Sequence, residues 1–193
     1  SRDINKEIFY YTLASKYNYV KAQFNLGIIY KNEFITSDIS KSIHYLSLAA
    51  NQNNKDAQRV LGKVYLEGTC ISKDIKKAEH YLSLAAEQND PNAQYHLGYL
   101  YYLDQNIDKC LHYMTLAAIQ NFAPAQFFFG IYYYENKYVI RDINKSIHFF
   151  KLASDQNYVK AQVNLGLIYE EGRYISSDIG TAIKYYTLSA NNN

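Results

Sequence analysis

Residues 57–86 read AQRVLGKVYLEGTCISKDIKKAEHYLSLAA, and this stretch decides the fold because its pattern recurs along the chain. The opening Ala-Gln-x-x-Leu-Gly returns four more times, once with Phe in place of Leu, at steps of 35, 36, 32 and 36 residues. A ladder of leucines keeps the same register, so the chain carries a repeat of about 35 residues. The glycines are Gly27, Gly62, Gly98, Gly130 and Gly166, and the leucines are Leu13, Leu48, Leu84, Leu116, Leu152 and Leu188.

Each repeat predicts two helices, named helix A and helix B in chain order. In helix A of the first repeat, Ala22, Leu26, Ile29 and Tyr30 follow the i, i+4, i+7, i+8 spacing of one apolar helical face. The repeat glycine falls in the middle of this helix, where glycine costs about 1 kcal/mol relative to alanine. Its recurrence predicts a close crossing with a neighbouring helix, at which a Cβ atom would clash.

Helix B has repeated signals at both ends. Ten residues before each ladder leucine lies an Asp or Asn, a residue type that caps a helix by accepting an N-terminal backbone N–H. Five residues after it lies an Asn, which tolerates left-handed backbone geometry better than most residues. The caps are Asp3, Asp38, Asp74, Asn106, Asp142 and Asp178, and the terminal residues are Asn18, Asn53, Asn89, Asn121, Asn157 and Asn193.

The repeats predict a single repeat domain over 1–193 with eleven helices. An unpaired helix B comes first, and five A–B pairs follow. The third unit is four residues shorter, and the loss lies in the loop between its two helices. Because the chain starts without Met inside a repeat, we expect it to be a piece of a longer protein. The predicted parts are a partial repeat, 1–20, and the units 21–55, 56–91, 92–123, 124–159 and 160–193.

Composition excludes several classes of protein. The charge is +2, from 20 Lys and Arg against 18 Asp and Glu, without long runs of one sign, so nucleic acid is not an expected partner. No apolar stretch approaches the roughly 18 residues of a membrane span, so no membrane insertion is expected. The two cysteines, Cys70 and Cys110, lack metal-ligand spacing and indicate a reducing compartment or indifference to redox state. We therefore predict a cytoplasmic protein.

The second unit resembles a Sel1-like repeat, a relative of the tetratricopeptide class. The resemblance rests on Ala57, Leu61-Gly62, Tyr65 and Gly68, continued by Ile71, Asp74, Lys77-Ala78, Tyr81 and Leu84-Ala85-Ala86. It implies an all-α fold, a right-handed α-solenoid of antiparallel helix pairs, that serves as an adaptor without chemistry of its own. It also makes the endoplasmic reticulum an alternative location. The chain departs from the family where a loop glycine is replaced by Phe34, Cys70, Tyr138 or Tyr174, and where Asn replaces the glycine after helix B.

No residues indicate catalysis or a cofactor. Histidines recur at one position of helix B, which could be interpreted as a metal ladder, but successive repeats separate them by roughly 10 Å, too far for ligand bonds of about 2 Å. These histidines are His44, His80, His112 and His148. The enzymatic alternative is a protein like the cysteine-rich offshoot of the family that binds or hydrolyses β-lactams. This chain lacks the cysteine pair that the offshoot carries in most repeats.

The remaining candidate site is the face of helix A that the resemblance places on the concave side. Positions two before and two after the leucine of Leu-Gly vary between repeats, and with two later tyrosines they predict an aromatic groove centred on the third and fourth units. These residues are Phe24, Ile28, Arg59, Lys63, Tyr95, Tyr99, Tyr102, Phe127, Ile131, Tyr134, Val163 and Leu167.

The predicted function is a non-catalytic scaffold that binds a peptide or protein surface in this groove. Arg59 and Lys63 would favour an acidic partner. The first alternative is that adjacent repeats bury these side chains, or that codon usage explains the 22 tyrosines. The second is an architectural spacer between other domains. Repeats cut at the chain ends would also expose core surface and favour self-association.

Overall fold

The computed structural model describes residues 3–32, 38–68, 71–135 and 137–192, and in these ranges all regular secondary structure is helical. This confirms the predicted all-α class and, within the described residues, the number of helices. None of these helices has the length and apolar character needed to cross a membrane. The helices are α1 (Ile4–Ser15), α2 (Val20–Asn32), α3 (Ile39–Asn51), α4 (Lys55–Glu67), α5 (Ile75–Glu87), α6 (Pro91–Leu103), α7 (Ile107–Ile119), α8 (Ala123–Glu135), α9 (Ile143–Ser154), α10 (Val159–Glu171) and α11 (Ile179–Asn191).

The chain forms two compact units, Ser1–Cys110 and Leu111–Asn193. In the first unit α2 packs on α3 and α4 packs on α5; in the second, α8 packs on α9 and α10 on α11. Each of these pairs is a predicted helix A followed by its helix B. The unpaired helix B is α1, which packs on α2.

All six predicted caps of helix B are present. Each side chain accepts a hydrogen bond from the backbone N–H three residues later, at 3.0–3.2 Å. A cap of this kind contributes about 1 kcal/mol to helix stability. The acceptors are Asp3, Asp38, Asp74, Asn106, Asp142 and Asp178.

The asparagines after helix B adopt the predicted left-handed geometry. At the end of α3, Asn53 has φ 61°, its N–H donates to Ala50 O, and the next N–H, of Asn54, donates to Ala49 O. These two bonds satisfy carbonyls that the helix end leaves without partners. Asn18, Asn89, Asn121 and Asn157 have φ between 57° and 62°, and Asn193 lies outside the described residues.

Four of the five repeat glycines lie at close helix crossings, as predicted, and the crossing at Gly98 stays a prediction. A Cβ atom added at Gly62 would lie 2.6 Å from Leu82 Cγ, and one added at Gly130 would lie 2.4 Å from Phe150 Cδ1. Gly27 and Gly166 meet α3 and α11 at 2.5 and 2.4 Å in the same way. A side chain at these places would force the two helices apart.

A ladder of buried glutamines, to which the sequence analysis assigned no role, joins successive helices. In α4, Gln58 is 1% exposed; its Nε2 donates to Ala50 O of α3, and its Oε1 accepts from Gln88 Nε2 at 2.7 Å. The side chain of Gln58 thus forms hydrogen bonds with the end of α3 and with the end of α5, the B helices of the first and second repeats. Gln23 and Gln126 accept from Gln52 and Gln156 at the same 2.7 Å. Buried amides with partners in this way fix how the helices lie against one another.

The loops between helices A and B close on one shared hydrogen bond. The N–H of the cap residue donates to the carbonyl of the tyrosine four residues after the leucine of Leu-Gly, or after Phe129 in the fourth repeat. In the second repeat this bond joins Asp74 N to Tyr65 O at 3.0 Å, and in the shortened third repeat it joins Asn106 N to Tyr101 O at 2.9 Å. Gln105, at φ 59°, supplies the sharp turn in the short loop. The four-residue loss therefore leaves both ends of the loop in place.

Candidate functional site

The predicted groove positions differ in exposure from repeat to repeat. In the first repeat Phe24 and Ile28 are half-buried and pack against the cluster formed by α3 and α4. In the fourth, Phe127, Ile131 and Tyr134 pack against a second cluster that includes Leu165 of α10. The Phe127 ring centroid lies 5.3 Å from that of Tyr158 and 5.6 Å from that of Phe150. These side chains thus help to hold neighbouring helices.

Other predicted positions remain open to solvent. Tyr99 and Leu167, which occupy equivalent places in α6 and α10, are each 42% exposed, and Val163 is 36% exposed. Tyr95, Tyr102, Arg59 and Lys63 are half-buried. The structure therefore brings together only part of the predicted set.

That part lies at a cleft between α4 and α6 in the first unit. Tyr95 and Tyr99 line it from α6, together with residues that the sequence analysis did not select. The open volume is about 340 Å³, close to the lower end of the range of about 300–1,000 Å³ for ligand pockets. Leu103, at the rim, is 52% exposed. The other lining residues are Leu66, Glu67, Lys73 and His96.

Arg59 of α4 is held by two carboxylates. Its guanidinium lies 2.7 Å from Asp56 and 3.2 Å from Asp90, and Asp90 is 6% exposed. The other oxygen of Asp90 accepts from Ala93 N and caps α6. Arg59 therefore ties α4 to the beginning of α6, and its charge is already neutralised before any partner arrives.

His96 and the two lysines near it determine the electrostatics of the cleft. Burial lowers the pKa of His96 to about 4, and the nearby charges of Lys63 and Arg59 lower it further than Asp90 raises it. The imidazole is therefore neutral at neutral pH. Within the described residues, neither Lys63 nor Lys73 has a carboxylate within 4.0 Å, so both ammonium groups are available to a partner.

Two signals in the sequence could have located the cleft. The first is the shortened loop itself, because four residues that could cover the end of α6 are missing. The second is Leu103, which stands where Glu67, Glu135 and Glu171 end helix A in other repeats. An apolar residue at a position that is elsewhere charged indicates a surface used for contact.

The described residues show neither a metal-binding cluster nor a reactive thiolate. Among the described residues no three His, Cys, Asp or Glu side chains are grouped so as to hold a metal ion. Cys110 is buried, and burial raises the pKa of its thiol to about 11, so it is not a thiolate at neutral pH. Cys70 lies outside the described residues. The four recurring histidines are all exposed, and each packs edge-on against the aromatic ring that follows it.

Helix pairs repeated in register define an α-solenoid. The Sel1 repeat model matches residues 20–54, 55–90, 91–122, 123–158 and 159–193. The chain therefore belongs to the Sel1 repeat family, which confirms the resemblance and the predicted fold class. Repeats of this family commonly serve as scaffolds for protein interaction and are generally non-enzymatic.

Solved structures show the same fold. A Sel1 repeat protein from Oxalobacter formigenes is similar to 98% of this chain at 28% identity and TM-score 0.87, and the match covers 56% of that protein. A protective antigen of uropathogenic Escherichia coli with an SLR fold covers 95% at 26% identity and TM-score 0.79, over 40% of its own length. An immunity protein of Pseudomonas aeruginosa covers 96% at 20% identity and TM-score 0.65, over 73% of its length.

This chain thus spans about half the length of the first two of these structures. Among curated protein sequences, none matches this chain significantly.

Proposed function

We propose that this chain is a non-catalytic scaffold that binds a peptide segment or protein surface along the exposed face of its A helices. The observation that supports this most strongly is the cleft between α4 and α6. There Tyr99 and Leu103 expose 42% and 52% of their surface beside two lysines without carboxylate partners. Aromatic residues are enriched in protein interfaces, and a repeat array presents them at regular spacing.

The test compares Tyr99→Ala with Leu167→Ala. The two residues occupy equivalent positions and have the same exposure, so neither truncation should unfold the chain. Proteins captured by the unaltered chain are identified, and their affinities for both variants are measured. An anchor residue contributes about 2 kcal/mol or more, so Tyr99→Ala should weaken a true partner roughly thirtyfold, whereas Leu167→Ala should change its affinity little.

Tyr101→Ala provides the contrast for a core residue. Tyr101 is 8% exposed, and its hydroxyl donates to Glu79 at 2.6 Å, so its loss should lower the melting temperature. If Tyr99→Ala lowers the melting temperature as much, Tyr99 belongs to the core and the proposed surface is incorrect. A chain that captures no partner would instead favour the architectural spacer.

We also propose self-association through α1. Phe9, Tyr10 and Leu13 of this helix are 64%, 63% and 47% exposed, and an apolar surface of this kind favours a second copy as its cover. Sedimentation velocity should show a concentration-dependent dimer that Phe9→Ser weakens. A monomer at all concentrations would contradict the proposal.

For the location, we propose the cytoplasm. The chain has only two cysteines, which supports this because small domains of oxidising compartments are often rich in disulfides.

A further inference from the structure

The repeats allow the cleft to be compared with its equivalent elsewhere in the chain. Counting from the leucine of Leu-Gly, or from Phe129 in the fourth repeat, Leu66 and Lys73 of the second repeat correspond to Tyr134 and Arg141 of the fourth. The place between α4 and α6 therefore corresponds to the place between α8 and α10 in the second unit.

In the second unit this place is filled by the chain itself. Tyr174, in the loop after α10, lies with its ring edge-on to Tyr134 at a centroid distance of 6.0 Å. The guanidinium carbon of Arg141 lies 4.3 Å from the centroid of the Tyr174 ring. Around Tyr174, the remaining gap leaves no room for a water molecule. A tyrosine packed between an aromatic ring and a cation thus completes the surface.

In the first unit, none of the residues that the structure describes fills the corresponding place. The third loop lacks four residues, and no residue of this loop corresponds to Tyr174. What remains is the cleft of about 340 Å³, with Leu66 in the place of Tyr134 and Lys73 in the place of Arg141. Leu103, in the place of Glu171, makes the rim more apolar.

We propose that this cleft receives a tyrosine or phenylalanine side chain from a protein partner, in the position that Tyr174 occupies in the second unit. The inference rests on the proposed function and names the chemistry of the partner. Lys73 would contact the ring as Arg141 does, since a cation over an aromatic face is favourable. The ring would enter the cleft that Leu66, Tyr99 and Leu103 line.

Charge complementarity adds a second requirement for the partner. Lys63 and Lys73 have no carboxylate within 4.0 Å among the described residues, and the charge of Arg59 is already paired. His96, which has no hydrogen bond with any described residue, offers one donor and one acceptor to a tyrosine hydroxyl. The cleft therefore favours an aromatic residue flanked by Asp or Glu.

The first experiment titrates the unaltered chain with short peptides and follows the ring protons of His96 and Tyr99 by NMR. The peptides are acetyl-Glu-Tyr-Glu-amide, its Ala counterpart and acetyl-Lys-Tyr-Lys-amide. We expect the first to bind with a dissociation constant of about 1 mM and to shift both residues. The Ala and Lys peptides should each bind at least about tenfold more weakly. Lys73→Ala should weaken the first peptide roughly threefold, while the exposed control Lys76→Ala should not. Equal responses to the Tyr and Ala peptides would overturn the proposal.

The second experiment fills the cleft from within. Replacing Asp104-Gln105 by the sequence of residues 172–177 gives the third loop the length and the tyrosine of the fifth, and a matched graft carries Ala in place of that tyrosine. Loop insertions are well tolerated in stacked repeats. The grafted tyrosine should show nuclear Overhauser contacts to Leu66 and abolish peptide binding, and the Ala graft should do neither. Absence of both effects in a folded graft would overturn the inference.

The graft also separates this inference from the proposed function. If Tyr99→Ala releases a captured partner but the tyrosine graft does not, the scaffold function is supported, and the proposal that the cleft receives an aromatic side chain is wrong. If neither variant changes capture while the peptide still binds the cleft, the partner surface lies elsewhere and the cleft chemistry is correct.

Discussion

Two equivalent places in the repeat differ in whether they are filled. The place between α4 and α6 is an open cleft, whereas a side chain fills the place between α8 and α10. Between α8 and α10, Tyr174 lies against Tyr134 and under Arg141, and the surface is complete. Between α4 and α6 the corresponding loop is four residues shorter and a cleft remains. Both loops nevertheless close on the same bond, from the cap residue to a tyrosine carbonyl.

The difference shows how a helical repeat can acquire a binding site without altering its framework. The positions that hold the helices together, the glycine crossing and the helix caps, are the same at both places. The loop and the side chains that line the place differ, and they carry none of these contacts. A surface can thus be opened at little cost in stability, because the loop hydrogen bond is kept.

The largest effect on stability is expected at the glycine crossings, which the two places have in common. Gly62→Leu and Gly130→Leu each put a side chain into a helix crossing that has no room for a Cβ atom. Overpacking of this kind should lower the free energy of unfolding by about 3 kcal/mol, measured by urea denaturation followed by circular dichroism. The control is Gly180→Ala in the first turn of α11, where the added Cβ would have ordinary contacts. An unchanged urea midpoint for either leucine variant would contradict the conclusion that both places share a close helix crossing.

Acid should affect the open cleft and not the filled place. The folded chain lowers the pKa of His96 to about 4 from 6.5, so it favours the neutral imidazole. The unfolded chain then binds more protons between these values, and stability present above pH 6.5 is lost as the pH falls toward 4. We expect a loss of about 2 kcal/mol, discounted for partial exposure.

His96→Gln is the variant that tests this. Melting of the chain and of His96→Gln is compared at neutral pH and near the lower pKa, and the difference between them should shrink as the pH falls. The equivalent residue in the second unit is Asn164, which does not titrate, so Asn164→Gln should leave the pH dependence of the unaltered chain in place. If the melting temperatures of the chain and of His96→Gln change in parallel with pH, the imidazole of His96 is not the source of the pH dependence.

Removing Tyr174 should convert the filled place into an open one. Tyr174 is 38% exposed, so Tyr174→Ala should cost about 1.5 kcal/mol, less than truncation of a fully buried aromatic residue. The variant should bind a second molecule of acetyl-Glu-Tyr-Glu-amide, and calorimetry measures this as a stoichiometry of two. Ile140→Ala, at a site 90% exposed, is the control and should keep a stoichiometry of one. Loss of stability without a new binding site would mean that the cleft chemistry does not transfer between repeats.

Most of the framework could be predicted from the sequence because it repeats. The caps, the left-handed asparagines and the glycine crossings recur at a fixed spacing, and each has one physical explanation. The glutamine ladder was missed, although Gln58 recurs as regularly as Gly62. A buried amide and an exposed one look alike in a sequence until the partner that satisfies it is known.

The candidate site was harder to predict because exposure depends on what neighbours contribute. Phe127 and Tyr95 occupy equivalent positions, yet Phe127 packs against Tyr158 whereas Tyr95 lines the cleft. Arg59 was predicted to favour an acidic partner, and Asp90, 31 residues away in sequence, already pairs with it. Each of these contacts joins helix A to the residue just before the next helix A, about 30 residues later, and the repeat pattern alone does not reveal it.

The smallest effect concerns the charge beside the cleft. Lys63 occupies the position that Ile131 has in the second unit, and its ammonium is the next cause, after burial, of the low pKa of His96. Lys63→Met keeps the aliphatic stem and removes the charge, so the pKa of His96 should rise toward its ordinary value, as measured by NMR titration at low salt. Lys76→Met, at an exposed site in α5, should leave it unchanged. Added salt should reduce the difference between Lys63→Met and the unaltered chain, because exposed charges are screened. If the pKa of His96 is the same in both at low salt, burial and Arg59 explain it, and the preference of the cleft for carboxylates must then come from Lys73.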